Sequence, residues 1–541
     1  MSDEGIESIS VQAFVYGVAT LLQILLQVAT MMYVSRALGP ELYGLYNLSL
    51  IPLSFLLMFS DLGFNAALFR YSSISHSRGD SCTLRESLLL TSKVLVFVNA
   101  VLSTILLLIP GELSTLMTQR NEIEKYVMMT ALTPLPSALS GMTISLLAAI
   151  GDARKRAILQ VSQSLIKLAS AVVLISLGFL IEGVIISYVL SYIVIATISM
   201  VIVKPFYKSP GRCYLAYGDY VRFAFSMFIP GFLMGVLGRM ISIKLAYMTA
   251  GLGELGNYIV GNFNASSAFI GALLSIYASL ATPLLPYLSY QVSVNNAHAK
   301  SVERLAVIFN STLLPLSIFA LFFSDKILGI VYGAKYGLAP LFFTLMALPL
   351  ITYNYGMILS AYFQVINDKR IITINGLATF VVGVIMLEAS SRLMGINGIA
   401  LTVGLYQVFS HVFFLVYARL KYQITLIFSK VAKTILASIV ANLIVLAFNI
   451  VLLEKLLEIL RFRITQVFVL NMFSLISSIL LLLLLYAIIM ALLRSLDEID
   501  VAFIEKMLIR VKIVSVIASS LIKIYKSIYY RVISDSRREK P

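Results

Sequence analysis

The chain is predicted to be an all-α integral membrane protein with fourteen transmembrane helices: two parallel six-helix lobes plus an extra helix pair. Three observations carry that expectation. Fourteen apolar stretches, each of roughly 20 residues or more, fill the 541 residues, and about 20 apolar residues are what a helix needs to cross the hydrocarbon core. Hydrophobic residues make up 60% of the chain and charged residues 12%, against about 25% charged in a soluble domain. Finally, sequence echoes align 11–203 with 221–420.

The spans are 11–34, 43–66, 87–109, 126–150, 157–180, 183–203, 221–249, 257–285, 305–323, 340–364, 371–389, 397–418, 432–454 and 466–493. Inside a bilayer every backbone N–H and C=O must be bonded within the protein, so such stretches are helices. Residues 1–10 are acidic and polar, and the apolar run after them is too long for a signal-peptide core, so no cleavable signal is expected.

Cytoplasmic loops are enriched in Lys and Arg. With the N-terminus inside, the short inner loops carry nineteen basic residues and the outer loops nine. Both termini are therefore expected in the cytoplasm of a cell-membrane protein, and the net charge of +15 reads as a topology signal. No nucleic-acid partner is implied. Cys82 and Cys213 both fall in inner loops, where a disulfide is not expected. The N-x-S/T triplets at Asn47, Asn264 and Asn310 lie within spans and are read as chance. Zinc-type Cys/His spacing, a Walker A loop and a G-x-S-x-G elbow are all missing. Neither an enzyme nor a cofactor or metal site is expected.

The echoes are specific. Gly39, Gly44 and Tyr46 in "ALGPELYGLYNLSL" match Gly251, Gly256 and Tyr258 in "TAGLGELGNYIVGN". "IGDARKRA" from Ile150 matches "INDKRI" from Ile366, and "IEGVIISYVLSYIV" from Ile181 matches "INGIALTVGLYQVF" from Ile396. Six spans is an even number, so both halves enter from one side, as in parallel repeats that hold substrate between them and rock. The expected divisions are 1–210 (N-lobe), 211–425 (C-lobe), 426–493 (spans 13 and 14) and 494–541. The last is a basic tail whose 512–531 segment has the spacing of an interfacial amphipathic helix.

Polar residues inside the spans mark the candidate site. Tyr16, Thr20, Gln23, Gln27 and Thr30 fall within about 80° of one another at 100° per residue, a stripe suited to a cavity or to interhelical bonding. The fifth span repeats the device with Gln160, Gln163, Lys167 and Ser170. Lys167 lies about 15 Å deep at 1.5 Å per residue, where ionisable groups face a bundle interior or an aqueous cavity. Span 7 holds Arg239 and Lys244, about 140° apart on a helix. Arg239 is the deeper, and Lys244 is close enough to the outer end to snorkel. Arg36 closes span 1 on the outer side. Asp61 is the clear intramembrane acid, a candidate partner for a cavity cation, a proton or a metal ion, whereas Glu388 is expected to pair with Arg392 four residues on. A cationic interior implies an anionic substrate, with phosphate or pyrophosphate fitting Arg and Lys. Tyr353, Asn354 and Tyr355, with Asn262 and Asn264, suit sugars. Prolines at 134, 136, 230, 283 and 286 interrupt spans 4, 7 and 8.

The stretch "MMYVSRALGPELYGLYNLSL", with Arg36, Leu38, Gly39, Gly44 and Tyr46, followed by Asp61–Leu62–Gly63, resembles the first hairpin of the Wzx-type oligosaccharide flippases. These belong to the polysaccharide transporter branch of the MOP superfamily. Arg239, the Gly256–Asn257–Tyr258 turn and "GDARKRA" carry the resemblance further, to about residue 420. It implies a two-lobed bundle that moves a polyprenyl- or dolichyl-linked oligosaccharide from the inner to the outer leaflet by alternating access. Such proteins serve polysaccharide biosynthesis or protein glycosylation. Membrane lipids and glycosyltransferases of the pathway are the implied partners, and a monomer the implied state. That family often places an acid just before the basic residue of span 7; here the position is Gly238, so the resemblance does not by itself imply the family's ion coupling. Similarity to the lipid II flippases would give spans 13 and 14 the lipid tail. The alternatives are a lipid II-type flippase and a MATE-like drug or cation antiporter, the latter expected to carry acids in its lobes. A membrane glycosyltransferase would need catalytic carboxylates on a large outer loop, and no outer loop is large.

Overall fold

The computed structural model describes residues 3–208, 215–281, 288, 289, 292, 298–424, 428–453, 455, 467–498, 500, 501, 505 and 519–530, and among these it is helical with no strand. The helices up to residue 281 are α1 (Asp3–Leu56), α2 (Phe64–Ser77), α3 (Ser81–Leu108), α4 (Pro110–Thr118), α5 (Glu124–Met129), α6 (Pro134–Ala149), α7 (Ala153–Ser176), α8 (Ile181–Val203), α9 (Tyr217–Thr249) and α10 (Gly253–Ala281). Beyond them run α11 (His298–Phe322), α12 (Ser324–Tyr332), α13 (Ala339–Met346), α14 (Pro349–Val365), α15 (Lys369–Tyr422), α16 (Phe428–Phe448) and α17 (Val467–Leu492).

Among the described residues, 10 helices are long and apolar enough to cross a membrane, or 11 if the pair Glu124–Leu132 and Pro134–Ala149, bent by 41°, is one span. Pro134 opens α6, where its missing N–H leaves no hydrogen bond unmade. Three of the runs are too long for single spans, and each breaks at glycine. In α1 the break is Gly39 (φ 73, ψ 169), just before Pro40. Between α9 and α10 it is Gly253 (φ 56), and in α15 it is Gly395 (φ 59, ψ −134). The expected fourteen is reached only if each of the three breaks is the joint between two spans and the bent pair is also one span.

The echoed segments take up matching local structure. Gly151 (φ 75) and Asn367 (φ 57) each hold the left-handed turn before the next helix. Asp152 and Asp368 then stand at the N-caps of α7 and α15. Gly183 and Gly398, at equivalent places in the third echo, each sit against the preceding helix, with no room for a Cβ at Gly398 beside the Ser390 carbonyl.

The described chain forms two compact units: 1–279 with 335–342 and 376–406, and 280–334 with 343–375 and 407–541. In the first, α1 packs along α7, α7 along α8, and α6 against α2, α3 and α8. Its core includes Phe64, Leu68, Leu88, Leu95, Met142, Leu146 and Tyr220. Lipid is as apolar as leucine, so close packing rather than water exclusion drives such contacts. The tightest are made by glycine. A Cβ on Gly44 would collide with the Asn257 carbonyl, and one on Gly261 with the Pro40 carbonyl. The first echoed pair thus meets face to face.

In the second unit, α11 packs on α14 and α16, and α16 on α17. Its core of Val307, Phe319, Ala441, Leu482, Tyr486 and Met490 also receives Tyr525, Ile522 and Ile528 from the tail segment 519–530. The described part of the tail therefore lies on protein. Tyr525 donates to the Leu496 carbonyl at 2.9 Å, and buried Asp500 accepts from Arg304 Nε at 3.0 Å and Lys430 Nζ at 2.8 Å.

The disulfide expectation is corrected: Cys82 is disulfide-bonded. Its surroundings show why. Tyr217 donates to Glu86 at 3.3 Å, and Tyr220 and Thr91 share a hydrogen bond of 2.7 Å, so the start of α9 runs beside the start of α3. Cys213, the one other cysteine in the sequence, lies outside the described residues, as do Pro283 and Pro286.

Candidate functional site

The first unit holds a partly open cavity of about 580 Å³. From α1 it is lined by Gln23, Gln27, Thr30, Tyr43, Tyr46 and Asn47. Gln163, Ser164 and Lys167 come from α7, Tyr188, Ser191 and Tyr192 from α8, and Gly271, Ala272 and Ser275 from α10. The glutamines and Lys167 reach it because i, i+4 spacing puts Gln23 with Gln27, and Gln163 with Lys167, on one helix face.

Lys167 is half-buried, with its Nζ over the Tyr188 ring, 4.9 Å from the centroid. No carboxylate among the described residues lies within 4.0 Å of that ammonium. A ring face attracts a cation but does not neutralise it. Tyr188 packs edge-on against Tyr192 at 5.1 Å, which fixes the ring that carries the ammonium. Asn47 donates to the Tyr43 carbonyl at 2.6 Å, and Thr30 to the Leu26 carbonyl at 2.8 Å. The cavity wall is therefore one free positive charge among amides, hydroxyls and aromatic faces.

Of the polar residues singled out in the sequence, Gln23, Gln27, Thr30, Gln163 and Lys167 line this cavity together. Arg239, Arg36, Lys244, Asp61, Tyr353 and Asn354 stand elsewhere. Arg239 is half-buried on α9 and does not line the cavity. Arg36 is exposed at the end of the first half of α1. Lys244 is bonded to Glu388 at 2.9 Å, and Arg392 bonds the same carboxylate at 2.7 Å. Asp61 turns the chain between α1 and α2: its Oδ1 accepts from Gly63 N at 2.8 Å. That turn holds Leu62 at φ 45 and Gly63 at φ 81, and a Cβ on Gly63 would collide with the Ala224 carbonyl on α9. The D-L-G triplet is thus a close-crossing turn.

Tyr353 and Asn354 belong to the second unit. Tyr353 meets His411 edge to face at 5.8 Å, and Asn354 is fully buried. Asn262 is fully engaged in architecture: its Oδ1 accepts from Leu338 N and Ala339 N at 3.1 and 2.9 Å, capping α13. Sequence reasoning missed Tyr43, Tyr46, Tyr188 and Tyr192. The available signal was the i, i+4 pair Tyr188/Tyr192 on a helix whose one charged residue is Glu182 in its first turn.

At one end of the unit, buried Arg120 donates to the Thr249 carbonyl at 2.8 Å and to Asn257 Oδ1, bridging the α4–α5 loop to both sides of the α9–α10 break. Tyr247 donates to the Leu116 carbonyl beside it. These bonds and the Gly44–Gly261 contact tie α9 and α10 to the first half of the chain.

The fold is a bundle of membrane-length helices with a polar cavity in its first unit. Solved structures share it. The lipid II flippase MurJ, in an inward closed conformation, superposes with TM-score 0.67 at 15% identity, over 88% of this chain and 99% of that one. A multidrug resistance MATE family transporter of the MOP superfamily, inward-facing, gives 0.59 at 14% identity over 76% and 98%. A MOP superfamily transporter from Pyrococcus furiosus, described as having a binding pocket of reverse polarity, gives 0.56 at 15% identity over 77% and 95%. No curated protein matches the chain in sequence. The family model for polysaccharide biosynthesis proteins matches residues 11–292, more than half the chain, and the protein belongs to that family. It is a multi-pass membrane protein.

Proposed function

We propose that this protein carries a lipid-linked oligosaccharide, on a polyprenyl or dolichyl carrier, from the inner to the outer leaflet of the cell membrane. One observation carries the reading: the Lys167 ammonium, unneutralised among the described residues, in a cavity walled by Gln23, Gln27, Gln163 and four tyrosines. An ammonium away from bulk water seeks an anion. The phosphorylated link between lipid and glycan supplies one, and amides with aromatic faces bind the sugar hydroxyls and ring faces beside it.

Both termini are assigned to the cytoplasm, so the Gly44–Gly261 contact and the Arg120 bonds lie on the outer side and part when the cavity opens outward. Residues 1–210 and 211–425 are the two lobes that rock, and spans 13 and 14 accompany the lipid tail. The protein acts as a monomer, with glycosyltransferases of the same pathway upstream. A MATE-like cation antiporter requires a carboxylate facing its cavity. The described lining has none, which favours the anionic substrate.

The test is translocation in proteoliposomes. A fluorescent polyprenyl-linked oligosaccharide in the inaccessible leaflet becomes accessible to a membrane-impermeant quencher when the purified protein is present. Equal rates with and without protein contradict the proposal, as does faster transport of organic cations in the same vesicles.

A further inference from the structure

The charge on the cavity wall is countable, and the count bears on which lipid-linked glycan fits. Among the described residues, Lys167 is the one formally charged side chain that lines the cavity. Arg239 is not part of the lining. Lys244 is committed to Glu388.

A glycan joined to a lipid through one phosphate is a phosphodiester with a single negative charge near neutral pH. The same glycan joined through a diphosphate carries two. One ammonium balances the first and leaves a net charge with the second. Desolvating an uncompensated charge is costly even after the protein relaxes, and neutral amide donors recover only part of that cost. We infer that the cavity selects a glycan linked to its lipid by a single phosphate over the diphosphate-linked form, with Lys167 setting that preference. The inference rests on the proposed function and goes beyond it by naming the linkage.

Gln163 makes the count adjustable. It lies one turn before Lys167 on the same face of α7 and lines the same cavity. A second cation there matches a diphosphate.

The experiment uses the full chain in nanodiscs with EDTA present, so that no divalent ion supplies the missing charge. The probes are heptaprenyl phosphate and heptaprenyl diphosphate carrying the same disaccharide. The expected result is binding of the monophosphate form at least tenfold tighter in the wild-type protein. Lys167→Arg keeps that preference, and Lys167→Gln removes it. Gln163→Lys narrows or inverts it by raising affinity for the diphosphate form. If the wild-type protein binds both forms equally or prefers the diphosphate, while still translocating it, the linkage inference fails and the transport reading stands. If neither form binds or is translocated, both fail. Because the first comparison needs only wild-type protein, an unstable variant does not rescue the inference.

Discussion

Two lysines in the first unit, Lys167 and Lys244, both lie inside membrane-length helices, yet they are chemically different residues. Lys244 has Glu388 at 2.9 Å, and that carboxylate also holds Arg392 at 2.7 Å. Lys167 has a tyrosine ring and a cavity of about 580 Å³. Depth in the sequence does not separate them, but their partners do. A paired ammonium is part of the architecture, and an unpaired one facing an internal space is available to a ligand. The same division recurs among the acids. Asp61, Asp368 and Asp500 are engaged by backbone, tyrosine or basic partners, and none lines the cavity.

The strongest way to break this picture is at the packing that frames the cavity. Gly44→Leu places a side chain into the Asn257 carbonyl and Gly261, and is expected to abolish translocation and sharply reduce the yield of monodisperse protein. Gly17→Leu, on the same helix with nothing within 4 Å of a Cβ, is expected to change both by less than about twofold. Size-exclusion profiles and the vesicle assay check the pair. The comparison of lysines sharpens next. Lys244→Ala leaves Glu388 paired with Arg392, and an exposed ion pair contributes little. Transport is expected to stay within about twofold of wild type.

A smaller effect tests an engaged acid in the second unit. Asp368 Oδ2 accepts from Lys421 at 2.8 Å, Tyr422 at 2.7 Å and Tyr417 at 2.9 Å. The Lys421 bond first, then that of Tyr422, hold its carboxyl down to about 2. A folded-state pKa lowered this way gives stability that is complete above the unfolded value near 3.9. That stability is lost only as the pH falls through about 2. Asp368→Asn is therefore expected to lower the melting temperature by the same amount at pH 5 and pH 8. A difference that shrinks at pH 5 contradicts the assignment. The smallest expected effect is chemical: Cys82 is expected to react with maleimide under denaturing conditions only after reduction, by mass spectrometry.

Much of the frame is legible in the sequence because the bilayer imposes length and apolarity on each helix. The positions of the breaks are legible too, since Gly39 precedes Pro40 and Gly395 lies between apolar runs. Helical phase groups Gln23 with Gln27 and Gln163 with Lys167, and the packing of α1 along α7 brings the two pairs to one cavity. What phase cannot reveal is a partner far along the chain. Glu388 lies 144 residues from Lys244, and Asn262 caps a helix 76 residues away. Asp61 misled for the opposite reason, because its partner is the backbone two residues on. The four cavity tyrosines escaped because tyrosine is equally at home in interfacial belts. The Cys82 disulfide escaped because loop assignment carries no distance between loops.

The most direct measurement sets the two lysines side by side in the proteoliposome assay, with the same lipid-linked oligosaccharide and matched amounts of folded protein. Removing a charge-assisted contact costs about 1.5–3 kcal/mol, or roughly tenfold to a hundredfold in rate. Lys167→Ala is expected to slow translocation by that factor, Lys167→Arg to recover most of it, and Lys244→Ala to match wild type. Wild-type rates from Lys167→Ala, or equal losses from both alanine variants, would contradict the assignment of the cavity to the anionic head of the substrate.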